Sequence, residues 1–336
     1  MTDLSRETAH FSLSWQQQLQ QAFNNINDLC HYLNLNPNEL NLSDTAAQQF
    51  ALRVPLSFAE CMEKGNAQDP LLKQVLPIND ELQHHEDFTL DPVGDLAAAV
   101  QTGVLHKYQG RVLLINTGSC AINCRYCFRR NFPYSELQLT KQQQDHALKT
   151  IANNQSIHEV IFSGGDPLLL NDERLSYFIE QLNTITHVKR IRIHSRVPIV
   201  LPARITHEFL NTLNLSQKKI VLVVHCNHAN ELNPRVYAAC QSIKQHGITL
   251  LNQSVLLKGI NDNVQTLTEL SEKLFDYGIL PYYLHLLDKA TGTAHFDVSK
   301  TQALDLMQQL QNQLSGYLVP KLVQEIAGEK AKQSVT

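Results

Sequence analysis

The apolar pattern of the chain changes period near residue 95. Before that point Trp15, Leu19, Phe23, Ile26, Cys30 and Leu33 recur at three- and four-residue steps, which predicts one face of a helix. Ser43 and Asp44 can cap a second helix, which Pro55 interrupts and Gly65 ends, and Asp69-Pro70 opens another short one. Gln16-Gln17-Gln18 fits a solvated helix face better than a low-complexity tract. From Gln83 to Asp95 the chain turns polar, with Pro92 and Gly94, and reads as a linker. Beyond it, short β-branched runs appear at 111–117, 159–163, 189–195, 219–225, 249–255 and 280–287, with helical patterns such as 173–185 and 265–277 between them. From the second run on, starts are about thirty residues apart, the size of a strand–helix repeat in a parallel sheet. Six such units predict an α/β fold, a partial (β/α)6 barrel. A doubly wound open sheet is the alternative, because periodicity does not report closure. The organisation predicted is a helical region over 1–95, the barrel over 96–298, and a C-terminal helix and tail over 299–336.

Composition narrows the setting without naming a reaction. The 336 residues are 43% hydrophobic, ordinary for a soluble globular protein, and 28 basic against 32 acidic residues leave a net charge of −4. No basic excess points to nucleic acid. The opening MTDLSRETAHFSLSW has no signal-peptide core, and no apolar run approaches the ~20 residues of a membrane helix. Seven cysteines in a chain of this size do not form a secreted disulfide framework. A cytoplasmic protein is expected.

Each predicted strand ends in groups capable of chemistry. They are a cysteine loop, Ser163-Gly164-Gly165-Asp166, His194-Ser195-Arg196, His225-Cys226-Asn227-His228, Asn252-Gln253-Ser254, and His285 followed by Asp288. Catalytic groups of parallel barrels gather at the C-terminal strand ends; any one of these segments alone is only what a solvated loop contains. The cysteine loop, 116–133, carries Cys120, Cys124 and Cys127 in the spacing C-x3-C-x2-C. So short a loop brings three thiolates round a common centre, which suits iron–sulfur or zinc. A structural zinc wants four ligands, and no second cysteine pair occurs. Three sulfurs leave one iron of a [4Fe–4S] cluster open. Cys30 and Cys61 read as core residues.

The spacing, with Tyr126 before the last cysteine, resembles the signature of the radical S-adenosylmethionine (SAM) enzymes. Leu105-His106-Lys107-Tyr108, Ile193-His194-Ser195-Arg196-Val197-Pro198, 251–257, Pro281-Tyr282-Tyr283 and Ser315-Gly316-Tyr317-Leu318-Val319-Pro320 are similar to the lysine 2,3-aminomutases. This likeness runs from about Val104 to Lys332. Residues 50–55 and 62–66 fit the short bacterial branch that acts in β-lysylation of elongation factor P.

The resemblance implies that SAM binds the open iron and that Gly164, Gly165, Asp166, His225 and Gln253 line its pocket. The competing reading of the glycine pair is an ordinary strand–helix turn capped by Asp166. An aminomutase of this family also uses pyridoxal phosphate (PLP), which needs a Schiff-base lysine. Alignment on Ser315-Gly316-Tyr317 gives Lys332, with Lys321 and Lys330 as rivals; only four residues follow Lys332, so cofactor or substrate is expected to order this end. The family's glycine run is here Gly328-Glu329-Lys330-Ala331, with one glycine. Lys107, Tyr108 and Arg111 match the PLP phosphate region, and Arg196 is a further anion contact by position. Arg129 matches the fork for the substrate carboxylate, and Asp288 and Glu325 match the two carboxylates on the far ammonium of lysine, Glu325 standing where the family has aspartate. His228 and Cys226 have no assigned role. The chain has Asn263 where a zinc-binding cysteine of longer relatives falls, so no zinc is expected.

Together these imply interconversion of L-lysine and β-lysine, the (R) form in the elongation-factor branch, through a 5′-deoxyadenosyl radical and an external aldimine. The partners implied are L-lysine, an electron donor such as flavodoxin or ferredoxin, and elongation factor P with its lysyl-transferring enzyme; neither nucleic acid nor membrane is among them. Oligomeric state stays open, a homo-oligomer included. Two alternatives stand beside this reading: a radical SAM enzyme without PLP, and a non-catalytic cluster protein that binds elongation factor P.

Overall fold

The six β-branched runs form six neighbouring parallel strands. A computed structural model describes residues 10–101, 103–132 and 140–336; residues 1–9 of the stretch read for targeting and Pro133 of the cysteine loop lie outside the described residues. The parallel strands are β3 (Arg111–Thr117), β4 (Glu159–Gly164), β5 (Arg190–Ser195), β6 (Lys219–His225), β7 (Thr249–Val255) and β8 (Leu280–His285). Helices Asp172–Thr184 and Val264–Asp276 fall within one residue of the helical patterns. Strands this apolar are buried on both faces, as a parallel sheet covered by helices requires. Phe162, Ile193 and Leu222 are fully buried between the layers, each contributing about 1.5–3 kcal/mol by leaving water. Among the described residues the sheet stays open, its strands running in chain order from β1 to β10. The incomplete barrel is therefore the fold.

Four strands extend the predicted six. β1 (Ala99–Gln101) and β2 (Val104–Tyr108) run antiparallel onto β3. Chain reversal at Gly103 (φ 78°) and Gly110 (φ 77°) needs backbone conformations that glycine adopts without strain. At the other edge β9 (Lys321–Gln324) adds parallel to β8, and β10 (Gln333–Ser334) folds back antiparallel on β9. The tail is thus ordered by strand pairing, not left to a ligand, and helix Lys300–Gln313 is the crossover that brings it there.

The N-terminal region is helical in short pieces. The apolar face read as one helix is two, Trp15–Gln20 and Ile26–Tyr32. Asn25 caps the second, and Phe23 leaves helical geometry to exchange backbone hydrogen bonds with Val54 at 2.8 and 2.9 Å. Ser43 and Asp69 cap Asp44–Gln49 and Pro70–Lys73 as expected. Leu29, Leu33, Phe58 and Leu71 share one apolar cluster with the barrel residues Phe162 and Ile191. These helices close one side of the barrel and reach the cysteine loop.

Candidate active site

The loop after β3 is held from below by buried charge. The Arg125 guanidinium donates to both oxygens of Glu81, at 2.9 and 2.5 Å, and to the carbonyls of Ala46 and Phe50. Arg130 shares the same Glu81 oxygen at 2.6 Å and donates to the Gly292 carbonyl. Arg125 and Glu81 are buried, and a single carboxylate between two guanidiniums is the arrangement that makes such burial tolerable. Backbone bonds from Asn123 to Arg53 and from Arg125 to Gln74 join the loop to the N-terminal helices.

From above, the loop packs on the glycine turn that ends β4. A Cβ on Gly165 would lie 2.3 Å from the Ser119 carbonyl oxygen, and one on Gly164 (φ +117°) 2.6 Å from the Thr117 oxygen. The missing Cβ atoms therefore make room for the cysteine loop's own backbone. Asp166 spends its carboxylate locally: Oδ1 accepts from Ser195 Oγ (2.7 Å) and Leu168 N (3.1 Å), Oδ2 from Arg196 N (2.7 Å) and Val197 N (3.1 Å). The capping reading of Asp166 holds, and the side chain also ties β4 to the segment after β5.

These elements surround one cavity of about 320 Å³, and the fifteen residues assigned to cluster, SAM, PLP and substrate line it, as does Arg196. On one wall stand Cys120, Cys124 and Cys127, all free. Burial, then the neighbouring sulfurs, pushes the Cys120 thiol well up, and the same causes push Cys127 to about 11. The penalty on charging Cys120 and Cys127 is what a multi-iron cation would reverse. Among the described residues no trio of His, Cys, Asp or Glu already stands in metal-ligand geometry; the donor set itself is the fit, soft and crowded on one loop.

Other residues lining the cavity carry polar atoms without partners among the described residues. His194 Nε2, Gln253 Oε1, His285 Nε2 and Asp288 Oδ1 are buried and unpaired, a costly state that a polar ligand would relieve. His225 Nε2 lies 2.9 Å from Gln253 Nε2. Burial and the nearby Arg196 pull His225 down to about 3, so it is neutral. Asp288 is pushed up to about 7 by burial, with Glu325 adding to and Lys332 opposing the shift.

The third wall is a chain of alternating charge. Lys332 Nζ donates to Glu325 (2.7 Å), and Glu325 also accepts from Lys107 (2.9 Å). Lys107 pairs with Asp95 (2.5 Å) and donates to the Val93 carbonyl. Asp95 accepts from Arg129 Nε at 2.7 Å, and Arg129 reaches Ser163 Oγ at 3.2 Å. Although burial opposes ionisation, Arg129 and Lys107 hold the Asp95 carboxyl below its ordinary range, as Lys332 and Lys107 do for Glu325.

This wall bears on two readings. Lys107 is committed to three protein acceptors, so of the phosphate trio it is Arg111 whose guanidinium is in no ion pair among the described residues. Arg111 stacks over the Tyr108 ring at 4.6 Å. The segment read as a linker ends in Asp95, 2% exposed and central to the charge chain; nothing in the polar Pro92–Asp95 turn distinguished it from a solvated acid. Arg192, also missed, lines the cavity with a buried, unpartnered Nε while its NH2 pairs with Glu159. Its alternation along β5 was the available signal. Lys332 is in the cavity wall, whereas Lys321 and Lys330 are not.

The class of protein is that of the radical SAM superfamily, whose family model matches residues 114–270. That membership implies a [4Fe–4S] cluster and SAM. Over 319 residues the chain is 49% identical to the L-lysine 2,3-aminomutase of Escherichia coli (strain K12), spanning 95% of this chain and 93% of that relative. It is 47% identical to the protein of that name from Haemophilus influenzae, over 95% and 94%. Against the L-lysine 2,3-aminomutase of Acetoanaerobium sticklandii the figure is 33%, over 96% and 78%. The chain belongs to the L-lysine 2,3-aminomutase family.

Proposed function

We propose that this protein interconverts L-lysine and β-lysine, with (R)-β-lysine as the product that serves modification of elongation factor P. The observation that carries this reading is the cavity. It is lined by three thiols, a lysine 2.7 Å from a carboxylate, a buried Asp288 and an arginine. When bound, the cluster and SAM supply a hydrogen-abstracting radical, and PLP supplies the electron-withdrawing carrier for the migrating nitrogen. Cys120, Cys124 and Cys127 would ligate the iron. Gly164 and Gly165 present backbone to SAM, His225 and Gln253 face it with neutral polar atoms, and Asp166 keeps the turn in place. Lys332 is the covalent anchor for PLP, with Arg111 and Tyr108 toward its phosphate.

The chain's own residues then set specificity and position. Arg129, oriented by Asp95, offers guanidinium N–H groups to the substrate carboxylate. Asp288 and Glu325 place negative charge where the far ammonium of lysine would sit. The apolar side chains Leu113, Ile161 and Leu287 that also line the cavity help exclude water from the reacting atoms, and holding both ends of lysine fixes the β-carbon relative to the radical source. Electrons come from a small donor of the flavodoxin or ferredoxin kind. Among the described residues no helix is long and apolar enough to cross a membrane.

The test is anaerobic turnover of L-lysine with SAM, PLP and a one-electron reductant, with chiral analysis of the product. (R)-β-Lysine that requires all three additions supports the reading. Lysine left unchanged by a protein loaded with iron and sulfide would sink it.

A further inference from the structure

Arg196 follows β5 and is 5% exposed. Its NH1 lies 2.6 Å from the Cys124 sulfur and 2.6 Å from the Tyr126 hydroxyl. NH2 donates to Gln74 Oε1 at 2.7 Å and to Glu231 Oε2 at 3.0 Å. The rings of Phe58 and Tyr126 flank the guanidinium at 5.1 and 5.7 Å. Nε has no hydrogen-bond partner among the described residues. A guanidinium keeps its proton in proteins, so the group is cationic.

A guanidinium this deep must answer to an anion. Glu231 is one, but it is already well supplied: its Oε1 accepts from Gln74 Nε2 (3.1 Å) and from the backbone N–H groups of Asn227 (3.0 Å) and His228 (3.1 Å). The other end of Arg196 points at sulfur. A neutral thiol is a weak acceptor, whereas a metal-bound thiolate is a strong one, so the contact is built for the latter. Neither atom of this contact is among the groups that hold substrate.

We propose that Arg196 raises the reduction potential of the iron–sulfur cluster by donating a charged hydrogen bond to the Cys124 sulfur, with Glu231 as the counterweight that limits the effect. This rests on the assignment of the cluster to Cys120, Cys124 and Cys127. Reduction adds one electron to the cluster and moves no proton through Arg196. The added negative charge is stabilised by a cation on a ligand sulfur more than the oxidised cluster is, and a dry surrounding strengthens the difference. Hydrogen bonds to ligating sulfur act in this way because they draw electron density from the metal.

The experiment is a one-electron potentiometric titration, followed by electron paramagnetic resonance, of the anaerobically reconstituted full chain without lysine or PLP. Iron and sulfide are measured first. Arg196→Gln is expected to lower the ratio of reduced to oxidised cluster at fixed potential about tenfold, which is 59 mV for a one-electron couple. Arg196→Lys should recover part of the loss. Glu231→Gln should move the ratio the other way, because the cation is then less compensated. Loaded variants that titrate with the wild type, or that both shift in one direction, overturn the proposal; the latter pattern marks mere loosening of the loop. Should Arg196→Gln fail to hold iron, Arg196→Lys decides: a potential below that of the wild type supports the proposal, and one equal to it overturns the proposal. A wild-type chain without iron and sulfide instead removes the cluster assignment beneath it.

Discussion

Replacing Asp95 by Asn removes one negative charge from between Arg129 and Lys107 while keeping the shape of the side chain. Both ion pairs are short, 2.7 and 2.5 Å, and Asp95 is 2% exposed, so solvent screens them little. Breaking a buried pair from one side costs about 3–5 kcal/mol. Lys107 retains Glu325 and the Val93 carbonyl, and Asn still accepts one hydrogen bond, so about 3 kcal/mol is the appropriate figure. At about 2 cal/mol/K of unfolding entropy per residue, 336 residues give roughly 0.7 kcal/mol/K and a fall in Tm of about 4 °C. The sign with pH follows from Asp95 having a folded value below its unfolded one. The carboxylate's contribution is complete above the unfolded value and is lost as pH falls through the folded one, so the Tm gap should be flat between about pH 5 and 8. Anaerobic scanning calorimetry across that range measures it, and the KM for lysine should rise in parallel as Arg129 loses its orientation. A change below about 1 °C with an unaltered KM would refute the argument that Asp95 organises this wall.

Other changes probe the remaining walls. Lys332→Ala should abolish turnover and the absorption band of protein-bound PLP while leaving iron and sulfide content intact; retained activity would reassign the anchor. Asp288→Asn should weaken lysine binding by about tenfold or more, the loss of a charge-assisted contact. In the wild type, protonation below about 7 should weaken binding by about tenfold per pH unit, a slope measurable by equilibrium dialysis and absent from the variant. Gly165→Ala places a methyl against the Ser119 backbone, so iron content after reconstitution should fall well below wild type; full loading would show that the loop can move aside.

What sequence reveals here depends on whether a residue's partner is local. The strands are legible because apolar runs such as 219–225 answer to one neighbour on each side, and the repeat of about thirty residues sets their order. The cysteines are legible because their partner is each other. Asp95 was not, since what makes it matter, Lys107 and Arg129, is set by pairing of β1 with β2 and by the fold of the cysteine loop. Phe23 broke the expected helix for the same reason, its backbone partner Val54 being thirty-one residues away. Lys332 was placed by family likeness alone, and the strand pairing that carries it to Glu325 has no apolar pattern of its own: β10 is only Gln333–Ser334.

Glu325 already answers to Lys332 and Lys107, and on the proposed roles it must also receive the far amine of the substrate. The enzyme's own side chain is then a competitor for its reactant's seat. Covalent linkage of Lys332 to PLP would withdraw its cation from Glu325 and so open that seat for the incoming amino acid, which favours sequential loading, cofactor first. Lysine given to the PLP-free protein should accordingly leave its melting midpoint where it was, and the same lysine given after PLP should raise it.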